Sequence, residues 1–290
     1  LSVDCLIWYY SQTEELPNYT TKLAGYLKVL IPSKNLDLMK QAIEILGKLA
    51  IPTSSITSEF LQHEVKNCIE WLTTSPESKF STQTQELRKH ASLQIITVLS
   101  KNSPTVLYPY INSILDNIWR ALRDPDNLMR FDAAKVVGCC LRIISKRDES
   151  ACKEWIIHLM QGCAFGLTLK TTDAIHATLL VYHELLELDS ECLNDFFDDI
   201  YYVTMSFKDH RSPLIREEIC SIVSLLASLN PVMFSNLYLD KVMNHFLDLL
   251  QNITTYNISN KERSHIFISI GDIADNVGEM MFEFLEPTLI

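Results

Sequence analysis

Two apolar stripes of helical period, joined at Asp124-Pro125, constrain this chain more than any other feature. They lie in residues 107–144, LYPYINSILDNIWRALRDPDNLMRFDAAKVVGCCLRII. The first stripe is Ile111, Leu115, Ile118 and Leu122; the second is Leu128, Phe131, Ala134, Val137 and Leu141. Each follows the i, i+3, i+4, i+7 spacing of a helix with one buried face. Asp124 and Pro125 are expected to stop the first helix and start the second, because Pro fits a helix's first turn and Asp accepts its unpaired N–H groups. The reading is an antiparallel helix pair with an Arg, Arg130, early in its second helix, followed by the small pair Ala133 and Ala134.

The pair recurs. Taking the early basic residue of the second helix as a register mark gives Lys40, Arg88, Arg130, His176, Arg216 and Arg263, in steps of 48, 42, 46, 40 and 47 residues. Such steps and small-residue signatures resemble HEAT repeats, whose units run to roughly 40–47 residues. The expected fold is all-α, an α-α superhelix of about six repeats: 18–50, 57–101, 104–146, 150–188, 190–228 and 231–278, with 1–16 and 280–290 belonging to neighbouring repeats. About thirteen helices and no sheet are predicted. No polar capping repeat is visible at either end, although a solenoid needs one for solubility, so the expectation is a single solenoid cut from a longer protein.

Composition fits that expectation. Only 7 Gly occur among 290 residues, far below the roughly 7% average, which disfavours hairpin-rich β folds. The eight Cys show no CxxC spacing; on apolar helix faces a free thiol acts as a small hydrophobe, and a reducing compartment is implied. The sequons at Asn18, Asn252 and Asn257 then read as chance matches. No apolar run approaches the length of a membrane span. Two connections look longer than the repeat needs, 73–86 and 252–262. Both are polar and read as mobile loops, with Ser75, Ser78 and Ser81 as conceivable phosphorylation sites.

A formal net charge of −11 argues against nucleic-acid binding. The charge is segregated. Between Arg120 and Arg147 lie seven basic residues and three acids; between Glu184 and Asp199 lie seven acids and no base. Arg120, Arg123 and Arg142 are the candidate docking patch, to be weighed against an ordinary solvated face. Asp124 with Arg130, and Asp209 with Arg216, share an order of acid, turn, then Arg, and are predicted to pair as a structural ladder. Trp71, Trp119 and Trp155, all on first helices, are expected to pack between repeats.

Catalytic signatures are missing. His63-Glu64 and His183-Glu184 begin an HExxH pattern, but Asn67 and Glu187 occupy the second ligand position, so no zinc site follows. Asp272 and Asp275 share one helix without a cleft. There is no Gly-rich phosphate loop and no HRD, DFG or GxSxG. No catalytic, cofactor or metal residue is assigned.

Several strings go beyond a generic HEAT pattern: LKVLIPSKNLDLMKQAIEILGKLA, FLQHEVKNCIEWL, the long run from LRKHASLQIITVLS through RFDAAKVV, DAIHATLLVYHELLEL, SLNPVMFSNLYLDKVMNHFLDLL and IGDIADNVG. In this order, over roughly residues 20–290, they resemble the amino-terminal HEAT region of target-of-rapamycin (TOR) Ser/Thr kinases, of the phosphatidylinositol-kinase-related group. The short link between the fourth and fifth repeats resembles the fungal branch. The resemblance implies a growth-control kinase, responsive to nutrients and rapamycin, whose ATP and magnesium site lies outside this segment. The segment itself would be a non-catalytic scaffold contacting a raptor-type subunit and a second TOR protomer. A cytoplasmic complex at vacuolar, lysosomal or other endomembrane surfaces is likewise implied.

Two other classes compete. An importin-like or other HEAT adaptor would show Trp-Asn ladders along second helices, and no Trp falls on a second helix here. A phosphatase scaffold would show uniform repeats near 39 residues, against steps of 40 to 48.

Overall fold

The computed structural model describes residues 16–31, 33–51, 58–73, 82–188, 190–256 and 258–289. Every regular element among them is helical. Two compact units divide the chain, Leu1–Cys152 and Lys153–Ile290.

In the first unit the helices are α1 (Leu16–Leu30), α2 (Leu36–Leu49), α3 (Ser58–Thr73), α4 (Thr82–Asn102), α5 (Pro104–Leu107), α6 (Ile111–Asn117), α7 (Trp119–Leu122) and α8 (Asn127–Ser145). Helix α1 packs on α2, α3 on α4, and α7 on α8, giving three helix pairs. The second members also pack on one another, α2 on α4 and α4 on α8, while α3 meets α5 and α6. Two layers result, one of first helices and one of second helices. The pattern follows from the stripes. In α2, Met39, Ala42, Ile43, Leu46 and Leu49 are all buried, on the one face that their spacing defines. Asn35 caps this helix, its side chain accepting from the Asp37 and Leu38 N–H groups at 3.1 Å. Close approach of α2 to α4 depends on Gly47, where an added Cβ would fall 2.1 Å from Val98 Cγ1.

The second unit begins within the helix α9 (Glu149–Thr168) and continues with α10 (Thr172–Leu186), α11 (Phe197–Ser206), α12 (Pro213–Leu229), α13 (Pro231–Leu237), α14 (Leu239–Gln251), α15 (Ile253–Tyr256), α16 (Asn260–Val277) and α17 (Phe282–Leu289). Here α10 packs on α12 and α12 on α16, with α11 on α12 and with α13 and α14 on α16. Phe197, Phe234 and Phe246 are the largest fully buried side chains of its core.

Three expectations change. Seventeen α-helices, rather than about thirteen, occur among the described residues, because first helices are broken. Pro109 sits in a 3-10 turn, Tyr108–Tyr110, between α5 and α6, where its missing N–H does least harm. The second helix after Asp124-Pro125 starts at Asn127, not at Pro125, and its cap is Asp126, whose carboxylate accepts from the Leu128 N–H at 3.0 Å. Asp124 instead accepts from the Asp126 N–H, tightening the turn. Residues 252–262 are not a plain loop. Ile253–Tyr256 form a helical turn, Ile258 is buried, and Ser259 with Glu262 makes a reciprocal capping box on α16. Of 73–86, residues 82–86 are already helical, and Ser75, Ser78 and Ser81 lie outside the described residues.

Candidate interaction surfaces

The ladder residues occupy the turns between paired helices. Arg130 is buried, and its Nη1 donates to the carbonyls of Asp124 (2.7 Å) and Pro125 (2.9 Å). It therefore reaches Asp124 through the main chain, tying the turn to the first turn of α8. Arg216 does the corresponding job one unit on, donating from Nη1 to the His210 carbonyl at 2.7 Å. The expected partner Asp209 is replaced by Glu262. Glu262 Oε1 accepts from Arg216 Nε at 2.8 Å and lies 2.6 Å from Nη2. The reason is geometric: Asp209 stands one residue from the carbonyl that the guanidinium takes, whereas Glu262 projects from α16, which packs directly on α12. Lys40, the first register mark, is exposed and does not reproduce this arrangement.

Sequence reasoning missed a second set of polar contacts, between adjacent second helices. His90 Nε2 on α4 lies 2.6 Å from Asp132 Oδ2 on α8. His183 Nδ1 on α10 lies 2.6 Å from Glu218 Oε1 on α12. Between α12 and α16, Glu217 takes Lys261 Nζ at 2.5 Å, and the Ser224 and Ser269 hydroxyls meet at 2.5 Å. The signal was present: His90, Asp132 and Glu218 each stand two residues after a register mark. Burial lowers the pKa of His183, but the Glu218 hydrogen bond and the charges of Glu218, Glu187 and Glu184 outweigh it and leave it raised.

The three arginines of the predicted docking patch are not brought together. Arg120 is exposed on α7 and Arg123 lies over the Trp119 ring, 5.2 Å from its centroid. Both sit at the amino-terminal end of α8, while Arg142 is in its last turn. At 1.5 Å per residue the two ends are about 20 Å apart. Arg142 instead joins Lys101, Lys146 and Arg147 around an open groove. In the second unit Glu191, Asp195, Asp198 and Asp199 are exposed. Asp198 also accepts from the Tyr238 hydroxyl, and Glu187 lies 3.5 Å from His183; Asp189 is outside the described residues.

The remaining candidates have structural partners. Glu64 of the first HExxH-like string is buried against Lys28 Nζ at 2.5 Å, and His63 faces Asn67. Trp71 is half-buried under Arg88, and Trp155 stacks on His158. Cys68, Cys139, Cys140, Cys152, Cys163 and Cys220 are buried thiols; burial, then the charges of Glu262 and Glu217, push Cys220 up to about 12. Asp272 and Asp275 are exposed on α16. Among the described residues no three or more His, Cys, Asp or Glu side chains are grouped to hold a metal. No single described helix is long and apolar enough to cross a membrane.

Paired helices with polar groups tied across neighbouring pairs define each unit as an all-α helical-repeat structure. No family model matches the chain. Relatives do. The Ser/Thr-protein kinase TOR2 of Saccharomyces cerevisiae is 47% identical over 285 residues, 98% of this chain and 12% of its own length. The kinase tor1 of Schizosaccharomyces pombe is 30% identical across 93% of the chain and 11% of its own length. The Arabidopsis thaliana TOR kinase is 26% identical across 93% and 10%. Among solved structures, an engineered protein aligns over 88% of this chain and 97% of its own, with a TM-score of 0.45 and 12% identity. The chain belongs to the target-of-rapamycin family as a segment, spanning about a tenth of the length of the curated relatives it matches. Identity falls from the fungal to the plant relatives, as the fungal resemblance leads one to expect.

Proposed function

We propose that this segment is a non-catalytic scaffold of a TOR-type Ser/Thr kinase, contributing protein–protein contacts to a growth-control complex. The observation that carries the reading is near-complete, collinear coverage of the chain by TOR kinases, at 47% identity in one fungal relative. The side chains agree with it in kind. Buried charges such as Arg130, Arg216, Glu218 and Glu262 are spent on tying turns and neighbouring helices together, and charge exposed at helix ends, such as Lys146, is left to face a partner. Catalysis in such kinases rests on phosphate- and magnesium-positioning motifs, and by resemblance those belong elsewhere in the full-length protein. A raptor-type subunit and a second TOR protomer are the partners this reading names, in a cytoplasmic complex at vacuolar or other endomembrane surfaces.

The test is made in the full-length kinase. Replacing exposed helix-end charges, Arg120→Glu with Lys146→Glu, is expected to lower recovery of the partner subunits on affinity purification while intrinsic kinase activity on a short peptide stays at the wild-type level. Unchanged recovery together with lost peptide phosphorylation would reject the scaffold role.

A further inference from the structure

The strongest unassigned feature is the groove in the first unit. Lys101 lies in the last turn of α4, Arg142 lies in the last turn of α8, and Lys146 and Arg147 follow it. These four cations surround an open groove of about 460 Å³, and none of its lining residues is acidic. Pro104, Cys139 and Ile143 supply an apolar floor.

One cation at each helix carboxyl end would be enough to complement the helix dipole. Two ends meet here, and four cations are present. Arg147 is also held, its guanidinium 4.4 Å from the Tyr108 ring centroid. A positioned planar fork loses less freedom on binding an oxyanion than a free one. Asp148, in the following turn, caps α9, its Oδ1 accepting from the Ala151 N–H at 3.0 Å.

The occupant is set by the same features. A nucleic-acid strand would want stacking platforms and a long basic track, yet the neighbouring Tyr108 ring is already covered by Arg147, and the chain carries a net charge of −11. An anionic lipid surface would be met by cations on a protruding face or helix, whereas these cations line a groove. An acidic peptide with an apolar anchor fits both rim and floor. We propose that the groove receives an acidic segment of a partner protein, its carboxylates or phosphorylated side chains held by Lys101, Arg142, Lys146 and Arg147 and one apolar side chain lying on Cys139 and Ile143. The proposal rests on the scaffold reading and gives it a site and a ligand chemistry.

Fluorescence anisotropy on the 290-residue chain tests it. The probe is a labelled peptide with four aspartates around a central leucine; its twin carries asparagines instead. The aspartate peptide is expected to bind saturably and at least tenfold more tightly than the twin. Lys101→Glu with Lys146→Glu should weaken it at least tenfold, and the neutral pair Lys101→Gln with Lys146→Gln at least threefold. Lys66→Glu with Lys135→Glu, at exposed positions outside the groove, changes net charge equally and should cost less than twofold. Circular dichroism should be the same for all. Equal loss in both charge-reversal pairs, no saturable binding, or capture of phosphatidylserine vesicles without capture of the peptide would each overturn the proposal. If peptide binding fails while the full-length kinase still recovers its partner subunits, the groove assignment falls and the scaffold reading stands.

Discussion

Arg216→Met should be among the most damaging single substitutions in the second unit. The wild-type guanidinium makes three contacts: Nε to Glu262 Oε1 at 2.8 Å, Nη2 to the same oxygen at 2.6 Å, and Nη1 to the His210 carbonyl at 2.7 Å. Only 4% of the Glu262 side chain is exposed. After the substitution that carboxylate keeps just the Ser259 N–H, at 3.1 Å. Stranding one partner of a buried pair costs about 3–5 kcal/mol. Arg216 itself is 14% exposed, so water can reach the gap and the lower end of that range is expected, roughly 3 kcal/mol. Removing both charges in Arg216→Met/Glu262→Met should cost less than the two single changes together, by about 2–3 kcal/mol, because no ion is then left buried. Arg216→Lys should not rescue, since one ammonium cannot make the forked contact and reach the turn carbonyl as well. Hydrogen exchange at the core amides of α12 and α16, such as Ile219, Val223 and Ile270, reads the local effect. A loss of roughly 3 kcal/mol corresponds to more than a hundredfold in protection. Strict additivity of the two methionine substitutions would refute the coupling, and with it the claim that this pair joins α12 to α16.

Gly47→Ala should destabilise the first unit by about 1–3 kcal/mol through overpacking against Val98, outweighing the roughly 1 kcal/mol that Ala gains over Gly in a helix; urea unfolding of Gly47→Ala/Val98→Ala should recover most of the loss. His183 has a folded-state pKa above its ordinary 6.5, so its protonated form stabilises the fold below pH 6.5, and that contribution fades as pH rises through the raised value. The urea midpoint of wild type should fall over that window, and His183→Gln should flatten the slope. The isolated chain should show no saturable ATP–magnesium binding in calorimetry, since no phosphate-cradling loop is written in it.

Much of the architecture was legible because stripes are a property of side chains. Ile111, Leu115, Ile118 and Leu122 are all buried, as their spacing requires. In the second stripe Leu128 is 39% exposed and Phe131 half-buried, because the first turn of α8 buries the face of Met129 and Arg130 instead. The acceptors of Arg130 were illegible for a different reason. They are main-chain carbonyls, which every residue carries and no letter marks. The segment 252–262 was misread on composition, although Ser259-x-x-Glu262 spells a capping box and could have been weighed above the polar run.

The docking patch shows where counting charges along a sequence goes wrong. Of the seven basic residues between Arg120 and Arg147, Arg130 is buried against carbonyls, while Arg123 and Arg147 lie over aromatic rings. Only three of the seven, Arg130, Lys135 and Arg142, lie within α8, at its start, middle and end, and the remaining four flank its two ends. What gathers charge is proximity of helix ends from successive pairs: Lys101 comes from α4, and Arg142, Lys146 and Arg147 from the end of α8. In a helical repeat, residues one repeat apart become neighbours while residues half a repeat apart on one helix pair are separated by a helix length. A patch is therefore better sought by stacking the repeats and reading down a column than by scanning a window. The same operation aligns His90 with Asp132. Contacts that hold the stack and charges that face a partner follow one geometric rule, and burial decides which of the two a given column serves.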